Sequence, residues 1–236
     1  MRVFALLLAA GLLAAGPASA QDTSTPVEDP NLRRPQLFEI AQGEVTEHFV
    51  VGDGAWGDVL ATIAAVRSAE DVSDQTVIDQ LWARRDLNPP IFLFEVARRA
   101  AASDPERAIE AWLLGRTRTL YDAARCVDSS SLQVLEAATN FSGDEIVGLM
   151  DEDGERLERV IRRVHESGAT FGGLNSPWWA CSFGDAAYLA ALNDASMPGA
   201  EWLKREILWE PIRNQLNDDL QAYLILVRAG IAAQAE

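Results

Sequence analysis

Two proline-marked starts, Pro89-Pro90 and Asp104-Pro105-Glu106, stand either side of an apolar run of helical period, and they constrain this chain more than any other stretch. Proline is tolerated in the first turn of a helix, where its missing N–H would be unpaired anyway, and an aspartate just ahead can accept from the free amides. The pattern predicts one helix from the prolines through Ala101. A second opens at Asp104 and carries Ala108, Ile109, Trp112 and Leu113 on one stripe, giving a short-linked antiparallel hairpin.

The same period recurs on both sides of the hairpin. From Ala55 onward Trp56, Val59, Leu60, Ile63 and Val66 share a face, as do Val77, Ile78, Leu81 and Trp82 behind the cap candidate Ser73. Ser142 and Glu145 have capping-box spacing. Leu157, Val160, Ile161 and Val164 line a stripe that ends at Gly168. Gly168 to Ser176, with Gly172-Gly173, reads as a loop; Ser176-Pro177 then opens a helix bearing Trp178, Trp179, Cys181 and Phe183. Beyond the break at Pro198-Gly199, Pro211 is expected to end or kink a helix carrying Trp202, Ile207 and Trp209. Leu220, Tyr223, Leu224, Val227 and Ile231 form the last amphipathic face. Glu44 to Val51 is the best strand candidate, because Val45, Phe49 and Val51 alternate with polar positions, and one short strand cannot make a sheet. The fold class is therefore all-α: a compact domain of antiparallel helix hairpins with at most one short N-terminal strand or hairpin.

The N-terminus has the order of a secretory signal peptide. A single positive side chain, Arg2, precedes the apolar run Val3 to Ala15, the break Gly16-Pro17 and the A-x-A site Ala18-Ser19-Ala20. Cleavage is expected after Ala20, with delivery to the periplasm. A spanning helix needs roughly 20 apolar residues, more than this run supplies, and no other stretch is apolar enough. No cysteine follows the cleavage site, so no lipid anchor is expected. Residues 21–34, with Asp22, Pro26, Glu28, Asp29 and Pro30, lack periodicity and read as a flexible leader, leaving residues 35–236 as a single helical domain.

Charge and cysteines narrow the chemistry. The formal charge of −16 becomes −17 once Arg2 is removed, which disfavours nucleic acid, since phosphate binding relies on clustered cations. Such acidity steers a basic protein partner or simply keeps an exported protein soluble. The chain has one lysine, Lys204, against nineteen arginines, a bias attributable to genome composition. In an oxidising compartment the only two cysteines, Cys126 and Cys181, read as a disulfide, stabilising by about 3 to 4 kcal/mol in the chain-entropy model. The rival reading, a reactive thiol, needs a base; His48 and His165 are the only histidines, and neither has motif spacing to a cysteine.

No catalytic, metal or cofactor motif emerges, and no cofactor is expected. The histidines and cysteines lack the paired short spacings of zinc sites. Asp151-Glu152-Asp153-Gly154-Glu155 lacks the register of a calcium loop and reads as an acidic helix N-terminus. There is no G-x-S-x-G elbow and no phosphate-binding glycine loop, and Ser129-Ser130-Ser131 reads as a cap cluster. A carboxylate pair for glycoside cleavage stays open, because 36 acidic residues always offer pairs.

The most distinctive stretch runs from Pro89 to Asp128. Arg116, Arg118, Tyr121, Asp122, Arg125 and Asp128 crowd the end of its second helix beside Cys126, and Arg118 with Asp122, like Tyr121 with Arg125, has the spacing to pair on one face. This set is either a recognition patch whose arginine forks grip a carboxylate or a polar network that fixes the hairpin beside a disulfide; the second is favoured. Trp178, Trp179 and Phe183 around Cys181 either line a cleft or pack under the disulfide, and packing is the default.

On these residues the chain resembles something known. The Pro-Pro pair, Phe94-Glu95-x-Ala97-x-Arg99, Asp104-x-Glu106-x-Ala108-x-x-x-Trp112 and Tyr121-Asp122-Ala123-Ala124-Arg125-Cys126-x-Asp128 are similar to the core of an uncharacterised family of exported bacterial helical proteins. More loosely, about 40 residues resemble one unit of tetratricopeptide-like repeats, without a second copy at a fixed period. The first resemblance implies no activity; the second implies protein binding. The expected function is thus a non-catalytic periplasmic protein that binds a protein partner, possibly basic, as an envelope adaptor or an immunity-type inhibitor of a toxin. The alternatives are an envelope hydrolase using a carboxylate pair and a small-ligand carrier.

Overall fold

The computed structural model describes residues 35–42, 45–52, 63–68, 73–168, 170–171, 177–193 and 202–234. The expected signal peptide and leader, the apolar positions Trp56, Val59 and Leu60, the Gly172-Gly173 loop, Ser176 and the Pro198-Gly199 break lie outside the described residues.

The hairpin expected from the proline starts is the centre of the fold. Helix α3, Ile91–Ala100, follows Pro90 and buries nine of its ten residues, Arg98 alone being partly exposed. Helix α4, Pro105–Ala124, starts on Asp104, whose carboxylate accepts from the Arg107 amide at 3.0 Å. The two pack closely because Gly115 has no side chain: a Cβ there would lie 3.1 Å from the Phe94 ring and 3.2 Å from Leu93 Cβ. On α4, Ala108, Ile109 and Leu113 are buried and Trp112 partly so, as the stripe predicts.

Shorter helices surround this pair. Residues 63–68 (α1) and Asp74–Ala83 (α2) come first, and α2 is capped by the Ser73 hydroxyl accepting from the Thr76 amide. A 3-10 turn, Ser129–Gln133, leads into α5, Val134–Ser142, followed by α6, Glu145–Glu152, and α7, Gly154–Glu166. Asp153 caps α7 through the Arg156 amide at 2.9 Å, so Asp153-Gly154-Glu155 is a helix start as expected, whereas Asp151 and Glu152 of the same acidic run end α6. Then come the single turn α8, Trp178–Cys181, helix α9, Asp185–Leu192, a 3-10 turn, Glu206–Leu208, and the long α10, Trp209–Gln234. Helix α4 touches α3, α5, α6, α7, α8 and α10.

Val45–Gly52 is extended, as expected, but it does not stand alone. It pairs antiparallel with Pro35–Gln42, with Phe38 opposite Phe49, and this two-stranded hairpin (β1, β2) is the only sheet among the described residues. The helices set the fold class.

Four local expectations are corrected. Ser142 does not cap α6; it ends α5, its hydroxyl donating to the Thr139 carbonyl at 2.8 Å, and Gly143, at φ +78°, turns the chain away. The Ser176-Pro177 start gives one helical turn rather than a helix through Phe183, which lies in the turn before α9. Pro211 neither ends nor kinks a helix: it sits in the first turn of α10, which runs unbroken to Gln234 and excludes Trp202 and Ile207. Asp128, rather than the serines, supplies the cap of the 3-10 turn Ser129–Gln133.

Candidate functional site

The C-terminal end of α4 is a knot of four chain segments. Cys126, just past the helix, pairs with Cys181 at the end of α8, with Cα atoms 5.5 Å apart and a separation of 55 positions in sequence. Residues 202–204 lie alongside as a short strap: the Val127 amide donates to the Trp202 carbonyl and the Lys204 amide to the Arg125 carbonyl, each at 2.8 Å. The sole lysine then turns its ammonium onto the Ala124 carbonyl at 2.8 Å, placing a cation at the negative end of the α4 dipole. Partial burial lowers its pKa.

Asp122 is the centre of the knot. It is buried, accepts the Trp179 indole N–H at 2.6 Å, and forms an ion pair with Arg125 one turn on. Burial pushes its carboxyl up to about 6, against the opposing pull of Arg125 and Trp179. Arg125 in turn lies over two rings, 4.3 Å from the centroid of Tyr121 and 4.9 Å from that of Trp209 at the start of α10. Tyr121 meets Phe171 edge-on at 5.4 Å. The expected pairing of Tyr121 with Arg125 is therefore present, as a cation–π contact.

The expected pairing of Arg118 with Asp122 is not. Arg118 points toward the end of α2 and its following turn, donating to the Arg85 carbonyl and Asp86 carboxylate at 2.7 Å each and to the Thr170 carbonyl at 3.0 Å. A buried guanidinium thus closes three segments from one position. Arg116 lies partly buried over Trp112, 5.6 Å from its centroid, and desolvation lowers its pKa. The six-residue patch is thus distributed around α4, not gathered on one exposed face.

Asp128 is the second fastener of the knot. One carboxylate oxygen accepts from the Ser130 amide and hydroxyl at 3.0 and 2.6 Å; the other accepts from the Ala186 amide of α9 at 2.8 Å. Against the effect of desolvation, these bonds hold its carboxyl below the usual range. The fit requires glycine at 184, where a Cβ would come within 2.5 Å of the Asp128 carboxylate. Of the aromatic cluster, Trp178 and Trp179 are buried and Phe183 packs partly buried against the core, with Trp178 meeting Trp202 edge-on at 5.0 Å. They pack around the disulfide.

A second polar centre escaped the sequence reading. Glu95 is fully buried (0% exposed) in the middle of α3 and accepts from Arg98 at 2.9 and 2.7 Å and from Arg99 at 2.8 Å, with Arg67 Nε 3.8 Å away. Arg99 continues to Asp74 and the Val66 carbonyl, tying α3 to α2 and α1. The hydrogen bond to Glu95 raises the pKa of Arg98. The i, i+3 and i, i+4 spacing of Glu95, Arg98 and Arg99 was the available signal, within a run that otherwise reads as apolar.

The arginine bias, attributed above to genome composition, has a structural use. Arg67 lies over Phe141, Arg85 and Arg107 over Trp82, Arg116 over Trp112 and Arg125 over Tyr121 and Trp209. A planar guanidinium stacks and forks its hydrogen bonds at once, which an ammonium cannot do.

Among the described residues no three His, Cys, Asp or Glu side chains are grouped to hold a metal ion, and no helix is long and apolar enough to cross a membrane. Compared with protein-family models, curated proteins and solved structures, the chain finds no match.

Proposed function

We propose that this chain is a non-catalytic, exported helical protein that works in the periplasm by binding another protein, as an envelope adaptor or an immunity-type inhibitor of a toxin acting there. The observation that carries the reading is a division of labour between inside and outside. Asp122, Glu95, Arg118, Arg99 and Arg125 are buried and engaged with one another or with backbone, whereas large apolar side chains stand outward, Ile207 at 75% exposure and Ile225 at 56%. On α10, Ile225 and Leu226 are adjacent and both exposed, at 56% and 55%, and contiguous exposed apolar surface marks interaction sites more often than chemistry. Asp122, the acid with the raised pKa, faces a guanidinium and an indole instead of a second carboxylate, so the geometry does not favour a hydrolytic pair.

Adaptor and inhibitor share one mechanism, docking of a rigid acidic helical surface steered by charge. The test is affinity capture of the mature, tagged protein from its own cell envelope, repeated at high salt. A single protein partner lost at high salt is the expected result; a folded, disulfide-bonded bait that retains no partner contradicts the proposal.

A further inference from the structure

The C-terminal half of α10 is apolar on both sides. Its inner face, with Leu220, Leu224 and Val227, is buried where the helix packs on α7 and α4. Its outer face carries Ala222, Ile225, Leu226, Ala229, Ala232 and Ala233, all exposed, Leu226 at 55%. The one charged side chain in this half, Arg228, turns back to Glu158 of α7, with Nε at 3.0 Å and Nη2 at 2.8 Å. A helix packed on one side only ordinarily turns polar side chains outward. The first half of α10 does so, with Glu210, Arg213, Asn214 and Asp218 exposed. The change falls within one continuous helix, at Asp218-Asp219, so it belongs to the surface rather than to helix formation.

Charge decides what fits. The stripe is bounded at one end by Asp218 and Asp219 and at the other by the last carbonyls of α10, the negative end of its dipole. A second copy would bring the same negative ends and an equally strong net negative charge into contact. From Asp218 to Gln234 the helix rises roughly 24 Å at 1.5 Å per residue. We propose that this face docks an amphipathic helix of a basic partner protein, its apolar stripe laid along Ala222 to Ala233 and a lysine or arginine at each end, over Asp218-Asp219 and over the α10 C-terminus. The proposal rests on the protein-binding reading and names the surface and the chemistry of the partner.

The probe is a synthetic amphipathic peptide of ~18 residues, with leucines at i, i+3, i+4 and i+7 and lysines at both ends, titrated calorimetrically into the mature disulfide-bonded protein. A control peptide keeps the leucines and carries glutamates at the ends. Binding of the basic peptide is expected to exceed that of the acidic one by about ten-fold or more, and to fall by about ten-fold in I225E/L226E, whose exposed positions leave the Tm unchanged. No binding, no preference for the basic peptide, or equal binding by a folded I225E/L226E overturns the proposal. So does a wild-type dimer in sedimentation that I225E/L226E abolishes, which would make a second copy the occupant. Envelope capture separates the two levels: a partner retained by I225E/L226E removes this face but leaves protein binding intact, whereas a folded wild-type bait without any partner removes the underlying reading.

Discussion

Glu95 and Asp122 are both buried carboxylates on the central hairpin, yet the first is ringed by three guanidiniums and the second by one guanidinium and an indole. Around Glu95 the cations outnumber the anion, and the ring reaches Asp74 and the Val66 carbonyl, so the carboxylate organises the junction of α1, α2 and α3. Around Asp122 one guanidinium, Arg125, is in contact and Arg118 acts only from a distance, in an aromatic, desolvated setting where burial raises its carboxyl to about 6. The same chemical group joins three helices in one place and two segments at the disulfide in the other. What differs is the number of cations that the fold brings to it.

The largest effect is expected from removing the disulfide. Cys126→Ala with Cys181→Ala should cost about 3 to 4 kcal/mol in urea unfolding, most of it through the freer unfolded chain. Glu95→Gln removes the charge that pairs with the buried Arg99 guanidinium and with the partly exposed Arg98, and should cost about 3 kcal/mol by the same measurement, the low end of the range for uncovering one half of a buried ion pair. A loss well under 1 kcal/mol in either variant would mean that the corresponding junction is held by apolar packing alone.

Asp122 is distinguished by pH. With Asp122 at about 6 in the fold against its ordinary 3.8, the folded chain binds the extra proton. This group therefore adds stability as pH falls through 6, with the gain complete only below 3.8 and absent above 7. Between pH 7 and 4 the stability of the wild type relative to Asp122→Asn should shift in favour of the wild type by about 2 kcal/mol, read from paired urea titrations. A pH-independent difference would show that Asp122 titrates alike folded and unfolded. The smallest effect is expected at Asp128→Ala, about 1 to 2 kcal/mol, because the backbone and hydroxyl donors it satisfies lie near water. Its readout is faster amide exchange at Ser130 and Ala186.

The same comparison shows what sequence could and could not reveal. Ser73 and Asp104 cap their helices as expected, and Asp153 caps α7 in the same way, because a cap depends on an amide only three residues away. Ser142 has equivalent spacing, but Gly143 takes a left-handed turn and makes the serine a helix end. Pro211 was misread because a first-turn proline and a helix-breaking proline look alike until the start of the helix is known. In the candidate site the pairing of the two cysteines and the stacking of Arg125 on Tyr121 were legible. The partners of Arg118 were not: Asp86 is 32 residues away and Thr170 is 52, whereas the local rule offered Asp122 four residues on. Trp179, which claims Asp122, is 57 residues from it. Periodicity reports which face is buried, and buried charges choose partners by tertiary proximity.

The central claim is that the polar cluster at the knot serves the fold and that partner binding is done elsewhere on the surface. The most direct measurement is envelope capture with wild-type and Asp122→Asn baits side by side, at neutral pH and at a temperature where circular dichroism shows both folded. The account predicts the same salt-sensitive partner on both baits. Loss of that partner from a folded Asp122→Asn bait would contradict it and return recognition to the Asp122 cluster.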